Sequence, residues 1–125
     1  MSHKLTGVCL ITDDVGRLAS FYRSVLQLDG EGDDQYFYFQ TDTVQLSIFS
    51  AQSMKSMAPG SMRNSGTGRC TLEFQVEDVD AEYDRLTTLG VVFVKPPTTH
   101  PWGLRAVWFR DPDGNVIDFY APVAD

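Results

Sequence analysis

A strand, a capping aspartate and an amphipathic helix follow one another twice along the chain, and this repeat limits the possible folds more than any other feature. Sliding the sequence by 64 residues lays Leu10, Thr12, Asp14 and Val15 onto Phe74, Val76, Asp78 and Val79, so both strand-to-helix junctions share an apolar and capping pattern. A slide of 71 lays Thr43, Leu46, Ser47, Ile48 and Phe49 onto Gly114, Ile117, Asp118, Phe119 and Tyr120, with an insertion near PPTTHPWG accounting for the growth. The pattern predicts an α+β chain of two βαβββ modules. One helix covers only one face of each sheet, so the uncovered faces must meet or enclose something.

The elements read as follows. LTGVCLIT (5 to 12) is an apolar, β-branched strand, and Asp13 or Asp14 caps the helix that follows. In that helix Val15, Leu18, Phe21, Tyr22, Val25 and Leu26 recur at helical spacing, leaving Gly16, Arg17, Ser20, Arg23 and Ser24 for solvent. YFYFQ and TVQLSIFS form a hairpin about a Thr-Asp turn. The first module spans about residues 4 to 50. Residues 51 to 68, rich in Ser, Gly, Met and Asn without a sustained period, read as a linker. The second module, 69 to 122, repeats the order with CTLEFQV as strand, a helix capped by Asp78 and stopped by Gly90, VVFVK as strand, and a hairpin of LRAVWFR and NVIDFY around DPDG.

A chain of 125 residues is one domain's worth and buries roughly two-thirds of its unfolded surface without staples. Seventeen acidic against ten basic side chains give a formal charge of −7, which repels phosphate backbones and anionic lipid headgroups and argues against nucleic-acid and membrane partners. Cys9 and Cys70 make neither a disulfide framework nor a zinc spacing, and are expected as reduced thiols in the cytoplasm. No apolar run is long enough for a signal sequence or a bilayer span, so a soluble protein is expected.

Three stretches, DDVGRLASFYRSVL, FQVEDVDAEYDRLTTLG and FRDPDGNVIDFY, resemble the first-helix, second-helix and closing-hairpin signatures of the vicinal oxygen chelate superfamily, the group of glyoxalase I, bleomycin-resistance proteins and extradiol dioxygenases. The resemblance covers most of the chain outside the linker. It implies paired βαβββ modules whose mixed sheets curl into a cup, commonly completed in a homodimer, with a divalent metal held at four matching strand positions. Carried onto this chain, those positions are Gly7, Ser47, Thr71 and Asp118. Only Asp118 is a strong ligand, whereas such a metal wants about three or more His, Glu or Gln donors. Family members that lack the ligands resemble binding proteins such as those that sequester bleomycin-type drugs.

No cofactor is therefore expected, with a divalent metal as the alternative. The candidate ligand-binding residues are Ser47, Thr71, Glu73, Trp102, Trp108, Asp118 and Tyr120. Strand alternation puts Glu73 on the face of Thr71, while Leu72, Phe74 and Val76 face the helix. Glu73 is either solvated at the cup mouth or pairs with Asp118. Asp118 itself is either a carboxylate held by backbone or Tyr hydroxyl groups at a strand end, or a pocket acceptor. His100, in a proline-stiffened loop, is either exposed or a general base, and His3 precedes the first strand in a frayed terminus.

Of nine aromatic residues on or beside the strands (Tyr36, Phe37, Tyr38, Phe39, Trp102, Trp108, Phe109, Phe119 and Tyr120), roughly half are expected as core and the others as lining, suiting a flat or cationic ligand. Met54, Met57 and Met62 either cover the mouth or belong to a disordered linker. Three readings compete on this evidence: a metal-independent small-molecule binder, a metal-dependent lyase or dioxygenase, and a metal-free enzyme with His100 or Glu73 as base.

Overall fold

Each strand-to-helix junction is fixed by an aspartate whose side chain takes over the free amide of the third helical residue. In a computed structural model describing residues 2–66 and 70–123, Asp14 Oδ1 accepts from the Arg17 amide and Asp78 Oδ1 from the Ala81 amide, both at 3.1 Å. The chain divides into two compact units, Met1–Ser65 and Gly66–Asp125.

The first unit runs β1 (Gly7–Thr12), α1 (Val15–Leu26), β2 (Glu31–Gly32), β3 (Tyr36–Gln40), β4 (Gln45–Ser50) and α2 (Ala51–Met57). The second runs β5 (Thr71–Gln75), α3 (Val79–Leu89), β6 (Val92–Thr99), β7 (Leu104–Arg110) and β8 (Val116–Pro122). Each unit holds an open four-stranded mixed sheet, ordered β1-β4-β3-β2 in one and β5-β8-β7-β6 in the other. The first and last strands are parallel neighbours in both, and the remaining pairs are antiparallel.

The repeat extends to the register. Leu10 opposes Ile48 across β1 and β4, and Phe74 opposes Phe119 across β5 and β8, the same pairing displaced by the two slides seen in the sequence. Cores follow from alternation. In the first unit Phe37, Phe39, Leu46 and Ile48 are buried with Val15, Leu18, Ala19, Tyr22 and Val25 of α1, whose solvent residues are those the helical spacing predicts. In the second, Val107, Phe109, Ile117, Phe119 and Ala121 are buried with Val79 and Leu86 of α3. A buried Phe or Leu contributes about 1.5–3 kcal/mol relative to an exposed one, so these two helix-facing layers dominate stability. Arg105 ties α3 to β7 through a two-pronged contact with Asp80, Nε to Oδ2 at 2.9 Å and Nη2 to Oδ1 at 2.7 Å.

Two expectations need correcting. The segment read as a linker begins with α2, because Ser50 caps it: its Oγ accepts from the Ser53 amide at 3.0 Å. Seven residues are too few to show a helical period. Residues 67–69, where the linker was expected to meet the second module, lie outside the described residues. The proline-rich stretch read as a loop is instead the far half of β6. That strand is an edge of its sheet, and its pairing with β7 slips between Phe93 and Lys95 and again between Lys95 and Thr98. An edge strand with irregular register tolerates Pro96 and Pro97, which lack an amide hydrogen to give. The turn proper is residues 100 to 103, closed by the His100 amide donating to Leu104 O at 2.8 Å.

Candidate functional site

The face of the second sheet turned away from α3 carries a row of unlike side chains. Cross-strand register aligns Glu73 on β5 with Asp118 on β8, Asp118 with Trp108 on β7, and Trp108 with Lys95 on β6. Alternation that sends Ile117, Phe119, Val107 and Phe109 into the core sends these four to the other face. Tyr120 lies one step along, opposite Ala106 and Gln75, and Thr71 one step the other way, opposite Val116.

Asp118 stands in the middle of β8, not at its end, and is only 8% exposed. Its Oδ1 is buried without a hydrogen-bond partner. Burial pushes its pKa up to about 6, the charge of Glu73 adds to the rise, and a hydrogen bond from Trp108 opposes it. Glu73 is exposed, as is Thr71. Thus the strand places Glu73, and not Thr71, directly across from Asp118.

The turn after β6 adds a second group to the same tryptophan. His100 stacks on Trp102 with ring centroids 4.4 Å apart and planes 11° off parallel, and meets Trp108 edge-on at 5.2 Å. Its Nε2 is buried and, like Asp118 Oδ1, has no partner. Trp102 covers one face of the imidazole while remaining 68% exposed. Lys95 Nζ lies 5.5 Å from the centre of the Trp108 ring, a cation–π contact.

Ser47 sits in the first unit at the address that Asp118 holds in the second. It is buried, and its hydroxyl donates to Val8 O at 3.5 Å. Its row reads Cys9, Ser47, Tyr38 and Glu31, with the Tyr38 hydroxyl donating to Glu31 Oε2 at 2.7 Å. Gly7 pairs with Gln45 and brings no side chain. An open groove of about 550 Å³ in this unit is lined by Gln35, Gln52, Ser53, Ser56 and Met57 and includes none of the candidate residues. Its Gln35 Oε1 already accepts from Ser50 and Ser53.

Sequence reasoning missed Lys95 as a site residue, because the two register slips around Pro96 hide which way its side chain turns. It also missed the His100–Trp102 stack, although the spacing of the two rings across Pro101 in a short turn is the signal that carries it.

Among the described residues, no group of three or more His, Cys, Asp or Glu side chains is arranged to hold a metal ion. None of their helices is long and apolar enough to cross a membrane.

Comparison with known proteins places this geometry in a wider set. Residues 4–119 match the family model of the Glyoxalase/Bleomycin resistance protein/Dioxygenase superfamily. An uncharacterized protein of Bacillus subtilis, YraH, is 31% identical over 124 residues, covering 94% of this chain and 97% of that protein. Among solved structures, a glyoxalase/bleomycin resistance protein/dioxygenase from Nocardioides superposes with a TM-score of 0.83 at 23% identity, covering 98% of this chain and 85% of the other. A lactoylglutathione lyase from Agrobacterium tumefaciens does so with a TM-score of 0.77, also at 23% identity, covering 97% and 95%. At such identities the structural likeness establishes the fold alone.

Proposed function

The chain belongs to the Glyoxalase/Bleomycin resistance protein/Dioxygenase superfamily, and from that premise we propose that it is a small-molecule-binding protein that works without the family's metal. What supports this reading is Asp118: a strong ligand at a position that the resemblance makes a family metal position, whose companions are Gly7, Ser47 and Thr71. Glycine has no donor atom, neutral hydroxyls bind divalent cations weakly, and Ser47 already spends its hydroxyl on Val8 O. That donor set does not fit the metal.

The residues present suit an organic ligand. Trp108 and Tyr120 offer flat apolar surface, Asp118 Oδ1 offers an acceptor with no partner among the described residues, and exposed Glu73 adds negative charge beside it. A ligand that donates an N–H or O–H to Asp118 removes the cost of that unsatisfied buried oxygen, which is the source of its selectivity. The reading includes a homodimer in the cytoplasm, in line with the superfamily's habit and the two reduced thiols.

One observation favours a second reading, a metal-dependent lyase or dioxygenase: Glu73 opposite Asp118 makes a two-carboxylate pair. Elemental analysis separates the two. The protein is measured as purified and after incubation with zinc, nickel, manganese and iron(II) followed by desalting, alongside thermal-shift screening with aromatic and cationic compounds. Binding without metal predicts no retained metal and a positive shift with part of the panel. About one metal per chain, with no shift from any organic compound, overturns it.

A further inference from the structure

Among the described residues, two buried polar atoms of the second unit lack partners, Asp118 Oδ1 and His100 Nε2, and both residues neighbour the same ring, Trp108. One stands beside it as its cross-strand neighbour, the other meets it edge-on from the turn after β6. Orphaned buried polar atoms are rare and costly, and two around one indole are better explained by a missing common partner than by two separate defects. Lys95 already brings a positive charge to the Trp108 ring. The unmet demand is therefore for hydrogen bonds at the two flanks, not for a cation over the ring.

Resting on the binding reading above, we infer that Asp118 and His100 are the two polar anchors of one ligand site built around Trp108, and that its ligand is a planar nitrogen heterocycle carrying N–H donors. A donor edge satisfies the carboxylate oxygen that has no other partner. A second polar edge meets the imidazole nitrogen, which in its neutral form either donates or accepts. Trp102 is the cover of this site. It shields one face of His100 while most of its own surface is in solvent, so the ligand reaches the imidazole by displacing Trp102 or by sliding beside it.

The test uses 2-aminobenzimidazole, which is planar and bears ring and exocyclic N–H donors, and benzothiazole, a similar ring system without them. Each is titrated calorimetrically into the full chain and into Asp118→Asn, His100→Phe and His100→Gln, with thermal melting to show that each variant folds. His100→Phe keeps a ring to stack on Trp102 but removes the nitrogens, and His100→Gln restores a polar atom.

The expected result is that 2-aminobenzimidazole binds at least about tenfold more tightly than benzothiazole. Asp118→Asn and His100→Phe should each weaken it by about tenfold, with partial recovery in His100→Gln. In parallel, intrinsic tryptophan emission should change on binding, and a substantial part of that change should persist in Trp102→Phe, where Trp108 is the remaining tryptophan. Affinity indifferent to His100→Phe, or equal binding of the two probes, overturns the inference. If neither probe binds but other compounds of the screening panel do, this site assignment fails while metal-free binding stands. If no organic compound binds and metal is retained, both fail.

Discussion

Replacing Asp118 with asparagine removes a buried charge at nearly constant volume, and its effect on stability is expected to depend on pH in a defined direction. The carboxyl has a pKa raised to about 6 against an ordinary value of 3.8, chiefly by burial and then by Glu73. Between those values the folded chain holds a proton that the unfolded chain has released, so stability falls as pH rises through this window and the full cost persists above it. A gap of that size corresponds to roughly 3 kcal/mol at neutral pH. The asparagine amide also needs partners and recovers only part of this, so the net gain should be roughly 1–3 kcal/mol above pH 7, on the order of 5–10 °C in Tm for a domain of this size. Thermal melts followed by circular dichroism from pH 4 to 8 measure it: the variant should match the parent near pH 4 and pull ahead progressively through pH 6. A difference independent of pH, or a variant less stable at pH 8, refutes the argument that Asp118 carries a desolvation cost.

Three further outcomes follow from packing and turns, all readable by urea denaturation. Phe109, fully buried and edge-on to Phe119 at 5.1 Å, should cost about 3–5 kcal/mol when cut to alanine, since the truncation leaves a cavity in the core of the second unit. Asp111→Ala should cost roughly 2 kcal/mol, because Oδ1 accepts from the Asp113 and Asn115 amides and Oδ2 from the Asn115 side chain in the turn joining β7 to β8. Gly30→Ala should cost more than about 1 kcal/mol: its φ is +68° and a Cβ there would sit 2.4 Å from the Phe37 ring, so a stability change near zero contradicts this close approach.

The fold was legible in the sequence because it is encoded twice. Asp14 and Asp78 mark the helix starts, Gly90 closes α3 in the left-handed conformation, and the alternation in FYFQ and VIDFY fixes which faces are buried. The part that escaped is short or irregular. Helix α2 rests on a single serine cap, and β6 bends its register around two prolines, which no period reveals. For the site, alternation alone put Glu73 with Thr71 on the face away from the helix, but only the pairing of β5 with β8 brings Glu73 opposite Asp118. Whether His100 is exposed or buried is decided by Trp102 two residues on, a contact made by the turn's geometry.

The prolines of β6 have a bearing on self-association. An edge strand offers a line of unpaired amides and carbonyls on which a strand from another chain can add, and exposed Val92 and Val94 make this edge adhesive. Pro96 and Pro97 bring no donors to this strand, the two slips break its straightness, and exposed Lys95 puts a charge where a neighbouring strand would have to dock. The segment that carries Lys95 to Trp108 thus also guards the chain against edge-to-edge aggregation, and replacing both prolines with threonine is the change that would remove the guard.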